Sequence, residues 1–260
     1  MLAWPTLLLT PPPPRCFCPR LAEDAGVGEV LPQSYFSGLA YDEDASPVPW
    51  DLFGRPQPPV KNAADAGDFG RNTVILDCGC GAGDNANWLA ARGHDVLAFD
   101  LSASAVATAC ARASEEKIAT AIAGAGGAVE FVEASAIDLG SASRVQARAK
   151  ELGGFEVVLD SALLHCLDDE QQRSYADGLL PLMRPSGQLF VGCFSDANPP
   201  PWSNPRRMSE AELRALFCQE RGWELTKLSE AWYERPAART ASKGGAWTMA
   251  WWAVITPASE

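Results

Sequence analysis

Residues 76–85 read Leu76-Asp77-Cys78-Gly79-Cys80-Gly81-Ala82-Gly83-Asp84-Asn85, an apolar run that passes straight into three glycines at alternate positions and then into a polar helix start. Glycines spaced in this way let a backbone come close to a ligand at the carboxyl end of a strand, where open α/β sheets bind their ligands. Asp100 lies 17 residues after Gly83, at the end of the next apolar run, where its two oxygens can accept hydrogen bonds from both hydroxyls of a ribose. The stretch therefore predicts a nucleoside site on a parallel sheet.

The same alternation continues outward. Thr73–Asp77, Asp95–Phe99, Val129–Glu133, Phe155–Asp160 and Gln188–Phe194 read as strands. Asn85–Arg92, Ser102 to about Glu116, 141–151, Asp169–Met183 and Ser209–Cys218 read as helices, with Gly93 as a left-handed stop and Ser102 as an N-cap. A Gly and Ala loop runs up to Gly127. Trp223–Trp232 and Trp247–Ile255 follow with no helix between them, so they should pair antiparallel, with Trp247, Trp251 and Trp252 in a core strand. This is the pattern of a parallel sheet covered on both faces.

The composition bounds the rest. A chain of 260 residues, 47% apolar, suffices for one sizeable core. Its net charge of −12 repels a phosphate backbone or an anionic membrane, so neither nucleic acid nor membrane is an expected partner. No apolar run approaches the ~20 residues of a membrane helix. Eight cysteines, with Cys78 and Cys110 inside apolar patterns, fit a reducing, cytoplasmic setting better than a disulfide framework. The histidines, His94 and His165, lie at no zinc-site spacing, so no metal is expected, and His94, ahead of the second strand, reads as exposed. Residues 1–29 are set apart as a disordered or targeting leader, which leaves organelle import open. Residues 30–260 form one domain, with 30–70 as a cap or lid and 71–260 as the sheet core. Within the cap, a short helix is expected near Val30–Leu39 and a loop over Tyr41–Pro59.

Gly81-Ala82-Gly83-Asp84-Asn85-Ala86 also fits the permissive G-x-G-x-x-A fingerprint of dinucleotide folds. A pyrophosphate wants bare amides at the helix N-terminus, whereas Asp77 and Asp84 place two carboxylates around this loop. S-adenosylmethionine has a sulfonium, an ammonium and one carboxylate but no phosphate, which matches that charge arithmetic. A nicotinamide-dependent oxidoreductase stays as the alternative, and so does a glycine turn that merely packs strand on helix.

Val74–Asp100 resembles motif I and the acidic motif after it in class I S-adenosylmethionine-dependent methyltransferases. Further pieces are similar to the small-molecule branch that includes thiopurine, thiol and halide methyltransferases: Pro49–Pro58, Asp160–His165, Cys193–Asp196 and Pro205–Arg207. The resemblance spans roughly residues 41–256. It implies a Rossmann-like seven-stranded methyltransferase sheet, mostly parallel with an antiparallel last strand, and S-adenosylmethionine as cofactor. Asp77 and Gly79 would face its methionine end, Gly81 and Gly83 would pass beneath the ribose, Asp100 would hold the hydroxyls, and Leu101 would lie beside the adenine, with Cys80 also among the cofactor-binding residues. Relatives commonly place an Asp in the turn where this chain has Ser135 and Ala136, so Ser135 or the backbone would read the adenine. Phe53 looks like an insertion between Asp51 and Gly54.

Trp50 and Arg55, in a proline-stiffened loop, could cover the cofactor, the indole attracting the sulfonium and the guanidinium forking onto the carboxylate. His165 is the candidate to touch the acceptor atom, with Asp160 opening the same turn. Asp196, Trp202 and Arg206, with Arg207 beside it, would wall the acceptor pocket. The expected activity is methyl transfer to a heteroatom of a small molecule, thiol sulfur or halide being preferred. An oxidoreductase and an inactive cofactor-binding regulatory protein are the alternatives, and monomer and homodimer are both open.

Overall fold

The structure, a computed structural model, describes residues 48, 50–199, 205–235 and 246–259. The leader, the helix expected over Val30–Leu39 and Trp202 lie outside the described residues. Helix α1 spans Pro58–Ala66. The sheet core then alternates β1 (Val74–Cys78), α2 (Asp84–Ala90), β2 (Asp95–Asp100), α3 (Ala103–Ala113), α4 (Glu116–Ala125) and β3 (Ala128–Glu133). It continues with α5 (Ser143–Leu152), β4 (Phe155–Ser161), α6 (Asp169–Leu179), β5 (Met183–Phe194), α7 (Glu210–Leu216), β6 (Trp223–Arg235) and β7 (Ala246–Pro257). The seven strands are ordered β3-β2-β1-β4-β5-β7-β6, and β7 runs antiparallel to both of its neighbours while the remaining pairs are parallel.

Successive residues of the central strands feed opposite cores, which is why those strands read as unbroken apolar runs. Leu76 and Val158 pack on one face with Tyr175 and Leu179 of α6, while Ile75, Val157 and Leu159 pack on the other with Leu89 of α2 and Phe190. Register aligns Cys78 with both Phe99 and Asp160, so the carboxyl ends of β1, β2 and β4 finish level. From β1 the chain steps to β2 on one side and β4 lies on the other, the reversal at which open α/β sheets leave a crevice.

The structure differs from five local expectations. The loop expected over Tyr41–Pro59 ends two residues early, at a helix over 58–66 to which the sequence reading assigns no element beyond Pro59, because Pro58 and Pro59 sit in the first turn, where a missing N–H costs nothing. The Gly and Ala loop before Gly127 is α4, whose Ile122 is buried and whose end is capped by Gly126 in the left-handed region. Helix α6 stops at Leu179 rather than Met183 and passes into a 3-10 turn over Leu180–Leu182, because Pro181 has no N–H with which to continue the α-helical ladder. At the last hairpin, Trp252 is buried and Trp251 is half-buried, but Trp247 is exposed. His94, expected on the surface, is buried. No helix among the described residues is long and apolar enough to cross a membrane.

Candidate active site

A cavity of about 220 Å³ opens over the carboxyl ends of β1, β2, β4 and β5. Its floor is the glycine loop at Gly79, Cys80 and Gly81. Asp100, Leu101, Ser135 and Ala136 form one side, and Ser161, Leu163, His165 and Phe194 the other. Trp50, Leu52, Arg55 and Gln57 cross above, and Tyr233, Glu234 and Arg235 close the far wall.

The glycine loop uses its own amides. Cys80 N–H donates to Phe99 O (2.9 Å), Gly83 N–H to Cys80 O (3.0 Å), and Gly81 N–H to Asp100 Oδ2 (2.8 Å). These three amides are therefore spent on the protein and not open to a phosphate, which counts against a pyrophosphate on this loop. The carboxylate of Asp84 is itself engaged: it accepts from Leu52 N–H and Gly54 N–H, both at 2.7 Å, and from Arg112 Nη1 at 2.9 Å. Two glycines are obligatory. A Cβ on Gly79 (φ +67°) would stand 2.9 Å from Leu163 Cβ, and one on Gly83 (φ +79°) would stand 2.9 Å from Ala109 Cβ.

Asp100 also accepts from Ser102 N–H at 2.9 Å, so both of its oxygens are oriented while the side chain still borders the cavity. Burial pushes its carboxyl above the ordinary value against those amides. The other two aspartates lie beneath the cleft rather than on its surface. Asp77 is 1% exposed, and burial, followed by the fields of Asp160 and Asp100, pushes it up to about 8. Asp160 is fully buried, and burial raises it to about 7 against the two amides it accepts from, Leu163 N–H (2.9 Å) and Leu164 N–H (3.2 Å). It builds the turn, in which Ala162 is held at φ +81°, a strained value for a residue with a side chain. The Oδ2 atoms of Asp77 and Asp160 are both buried with no hydrogen-bond partner. Orphaned buried carboxyl oxygens are rare, and a cation brought to this end of the cleft would favour their ionised forms. The adenosyl sulfonium compound therefore fits the residues present: amides withdrawn from phosphate, a carboxylate for ribose hydroxyls, and acidic groups below the cationic end.

His165 is 2% exposed and reaches the cavity. Its Nδ1 accepts from Phe194 N–H at 2.9 Å, and the ring stacks on that of Phe194 with centroids 4.4 Å apart. An accepting Nδ1 places the proton of the neutral ring on Nε2. Burial, then the charge of Arg235, pulls the imidazole down to about 3, so the residue is a neutral N–H donor across the physiological range and no base. Beside it, Ser161 Oγ and Tyr233 Oη share a hydrogen bond of 2.9 Å, and Phe194 meets Tyr233 edge-on.

The remaining expected side chains divide. Trp50 and Cys80 line the cavity, as do Leu101, Ser135 and Ala136. Arg55 borders it but forks onto Glu234, with both contacts at 2.8 Å, rather than standing free for a cofactor carboxylate. Arg206 pairs with Asp169 and Glu212, and Asp196 is exposed, so neither reaches the cavity. Gly83 lies behind the lining. The sequence reading missed Asp51, Arg112, Ser161 and Tyr233 to Arg235. The last three escaped because β6 was ended at Trp232 although the strand continues to Arg235. A Tyr-Glu-Arg continuation with one apolar position in the strand's alternation was the available signal.

The comparisons agree with this geometry. The sequence model of the family described as thiopurine S-methyltransferase (TPMT) matches residues 44–256. A 2-heptyl-1-hydroxyquinolin-4(1H)-one methyltransferase from Mycobacteroides abscessus is 26% identical over 200 residues, covering 76% of this chain and 78% of that one. A solved structure concerned with conversion of a disulfide bond into a thioacetal group during echinomycin biosynthesis superposes with a TM-score of 0.63 at 26% identity, covering 82% and 84% of the two chains. For the fold, a 1,6-didemethyltoxoflavin-N1-methyltransferase from Burkholderia thailandensis superposes with a TM-score of 0.51 at 21% identity, covering 77% and 78%. The chain belongs to the thiopurine S-methyltransferase family and is an S-adenosylmethionine-dependent methyltransferase of small molecules.

Proposed function

We propose that the acceptor is a small molecule presenting an acidic heteroatom, thiol sulfur first and halide next, which enters the cleft already ionised. The observation that carries this reading is the state of His165. With Nδ1 accepting from the backbone, only Nε2–H is left to meet an acceptor, and a donor serves an anion. Among the described residues no free carboxylate stands at this wall: Asp77 and Asp160 lie beneath it, and Glu234 is engaged by Arg55. Arg235, which borders the cavity and has no ion-pair partner among the described residues, adds positive potential for such an anion.

S-adenosylmethionine supplies, when bound, a methyl group on a cationic sulfur. The chain's part is to hold and to exclude. Asp100 would receive the ribose hydroxyls, and Trp50 would lay an indole face toward the sulfonium. His165 and the Ser161–Tyr233 hydroxyl pair would orient the acceptor, while Phe194 and Leu163 keep water away. For an in-line displacement, that positioning is most of the catalysis. A second reading, an acidic N-hydroxyl oxygen as acceptor, is favoured by the relative that methylates a hydroxyquinolone. The six cysteines described are all free, which supports a reducing, cytoplasmic setting.

The test is a panel of an aromatic thiol, iodide, an N-hydroxyquinolone and a primary aliphatic amine, incubated with enzyme and S-adenosylmethionine and analysed by mass spectrometry. Methylated thiol, iodomethane or O-methyl product should form, with the amine turned over at least tenfold more slowly. An amine that outruns every acidic acceptor overturns the proposal.

A further inference from the structure

We infer that Arg112, which does not border the cavity, is a positioning residue: its guanidinium latches the strap of residues 50–57 over the cofactor cleft and thereby sets how long the cofactor stays. This rests on the cofactor reading above. Arg112 lies in the last turn of α3, and its fork is closed on Asp51, with Nη1 to Oδ1 at 2.9 Å and Nη2 to Oδ2 at 2.6 Å. Nη1 is shared with Asp84 Oδ1 at 2.9 Å. The Asp84 carboxylate in turn receives the amides of Leu52 and Gly54, so one cation and one carboxylate tie the strap to the N-terminus of α2, directly behind the glycine loop. Phe53, between those two amides, takes φ +54° and is 64% exposed, which turns its ring outward while both neighbouring amides point at the same carboxylate. Phe53 N–H closes the knot on Asp51 Oδ1 at 2.8 Å.

At its far end the strap is pinned by Gln57, which donates N–H to Asn85 Oδ1 at 2.9 Å and exchanges two hydrogen bonds of 3.1 Å with the Glu234 backbone. The segment the latch holds is therefore 50–55, where a second charged attachment differs from it in kind. Arg55 and Glu234 also meet in a fork, but Arg55 is 58% exposed, and exposed pairs contribute little. At the latch the side chains of Arg112, Asp51 and Asp84 are 18%, 9% and 15% exposed. Removing one member of a network buried to this degree costs far more than losing a surface pair, because its partners are left charged and uncompensated. Without Arg112, Asp51 and Asp84 would face each other as like charges, and the strap would be driven off the cleft. Trp50 and Leu52, which roof the cavity, would go with it. Opening of this strap is then the step that releases the spent cofactor.

The experiment compares wild type with Arg112→Gln and Arg112→Lys. S-adenosylhomocysteine dissociation is followed by surface plasmon resonance, and amide hydrogen exchange is read over residues 50–57 and over β1 and β4. Arg112→Gln should release the ligand at least tenfold faster, and the amides of Leu52 and Gly54 should exchange at least tenfold faster while β1 and β4 keep their protection. Arg112→Lys, which keeps the charge but not the fork, should fall between. If Arg112→Gln does not fold, Arg112→Lys alone decides, with a severalfold rise in both rates expected. Wild-type rates in the variants, or loss of protection in the strap only together with β1 and β4, overturn the latch. A wild-type chain that binds no S-adenosylhomocysteine overturns the cofactor reading and the latch with it.

Discussion

A histidine in a methyltransferase cleft invites the role of base, and in this chain one hydrogen bond removes it. The proton of the neutral ring must sit on Nε2 because Nδ1 takes the Phe194 amide, and burial among apolar rings keeps a second proton off until about pH 3. Two substitutions separate packing from chemistry. His165→Asn can still present an oxygen to Phe194 N–H and should keep most of the stability while losing the donor. Its turnover should fall tenfold or more, with S-adenosylhomocysteine affinity changed less than threefold by calorimetry. His165→Gln carries an amide nearer the Nε2 position and should recover part of the turnover. Equal losses of melting temperature and turnover in both variants would show the ring to be only packing. This residue was legible in sequence as a candidate, from its place after the fourth strand, but its protonation was not. The amide that fixes it comes from a residue 29 positions away.

At the scale of elements, the acceptor wall depends on the Tyr233 side chain of β6 reaching across β7 to β5. Gly192 of β5 has no side chain because the Tyr233 hydroxyl of β6 occupies that space: a Cβ there would lie 2.0 Å from Oη. Gly192→Ala should therefore push Tyr233 aside and break its hydrogen bond to Ser161, costing about 1–3 kcal/mol as overpacking does. Turnover should drop more than cofactor affinity. A variant with unchanged melting temperature and turnover would contradict that account of the wall. The strands themselves were readable as apolar runs, and the antiparallel hairpin was readable from the missing helix. What stayed hidden was of two kinds. Local composition misled where prolines open α1 and where alanines and glycines build α4. Long-range pairings left no local mark: the sequence around Arg112 says nothing of Asp51, 61 residues earlier, or the sequence around Arg55 of Glu234, 179 residues later.

Over the whole molecule, a nucleoside floor and an acceptor wall meet at the reversal of strand order between β1 and β4, and the strap joins them by fastening to both α2 and β6. The division of labour follows from the backbone: loop amides of Cys80, Gly81 and Gly83 are spent on β2 and on the loop itself, and the histidine that could have taken a proton is left with a hydrogen bond to donate. On the function proposed above, the ionisable group that controls the reaction belongs to the acceptor. The most direct measurement is kcat/KM against pH for two aromatic thiols of well-separated acidity, assayed with saturating S-adenosylmethionine. Each profile should rise with pH to a plateau, and its midpoint should follow the pKa of the thiol used, since only the thiolate attacks. A midpoint that stays fixed for both thiols, above all one near 7 to 8 where Asp77 and Asp160 titrate, would mean that the protein supplies the base and would contradict this account.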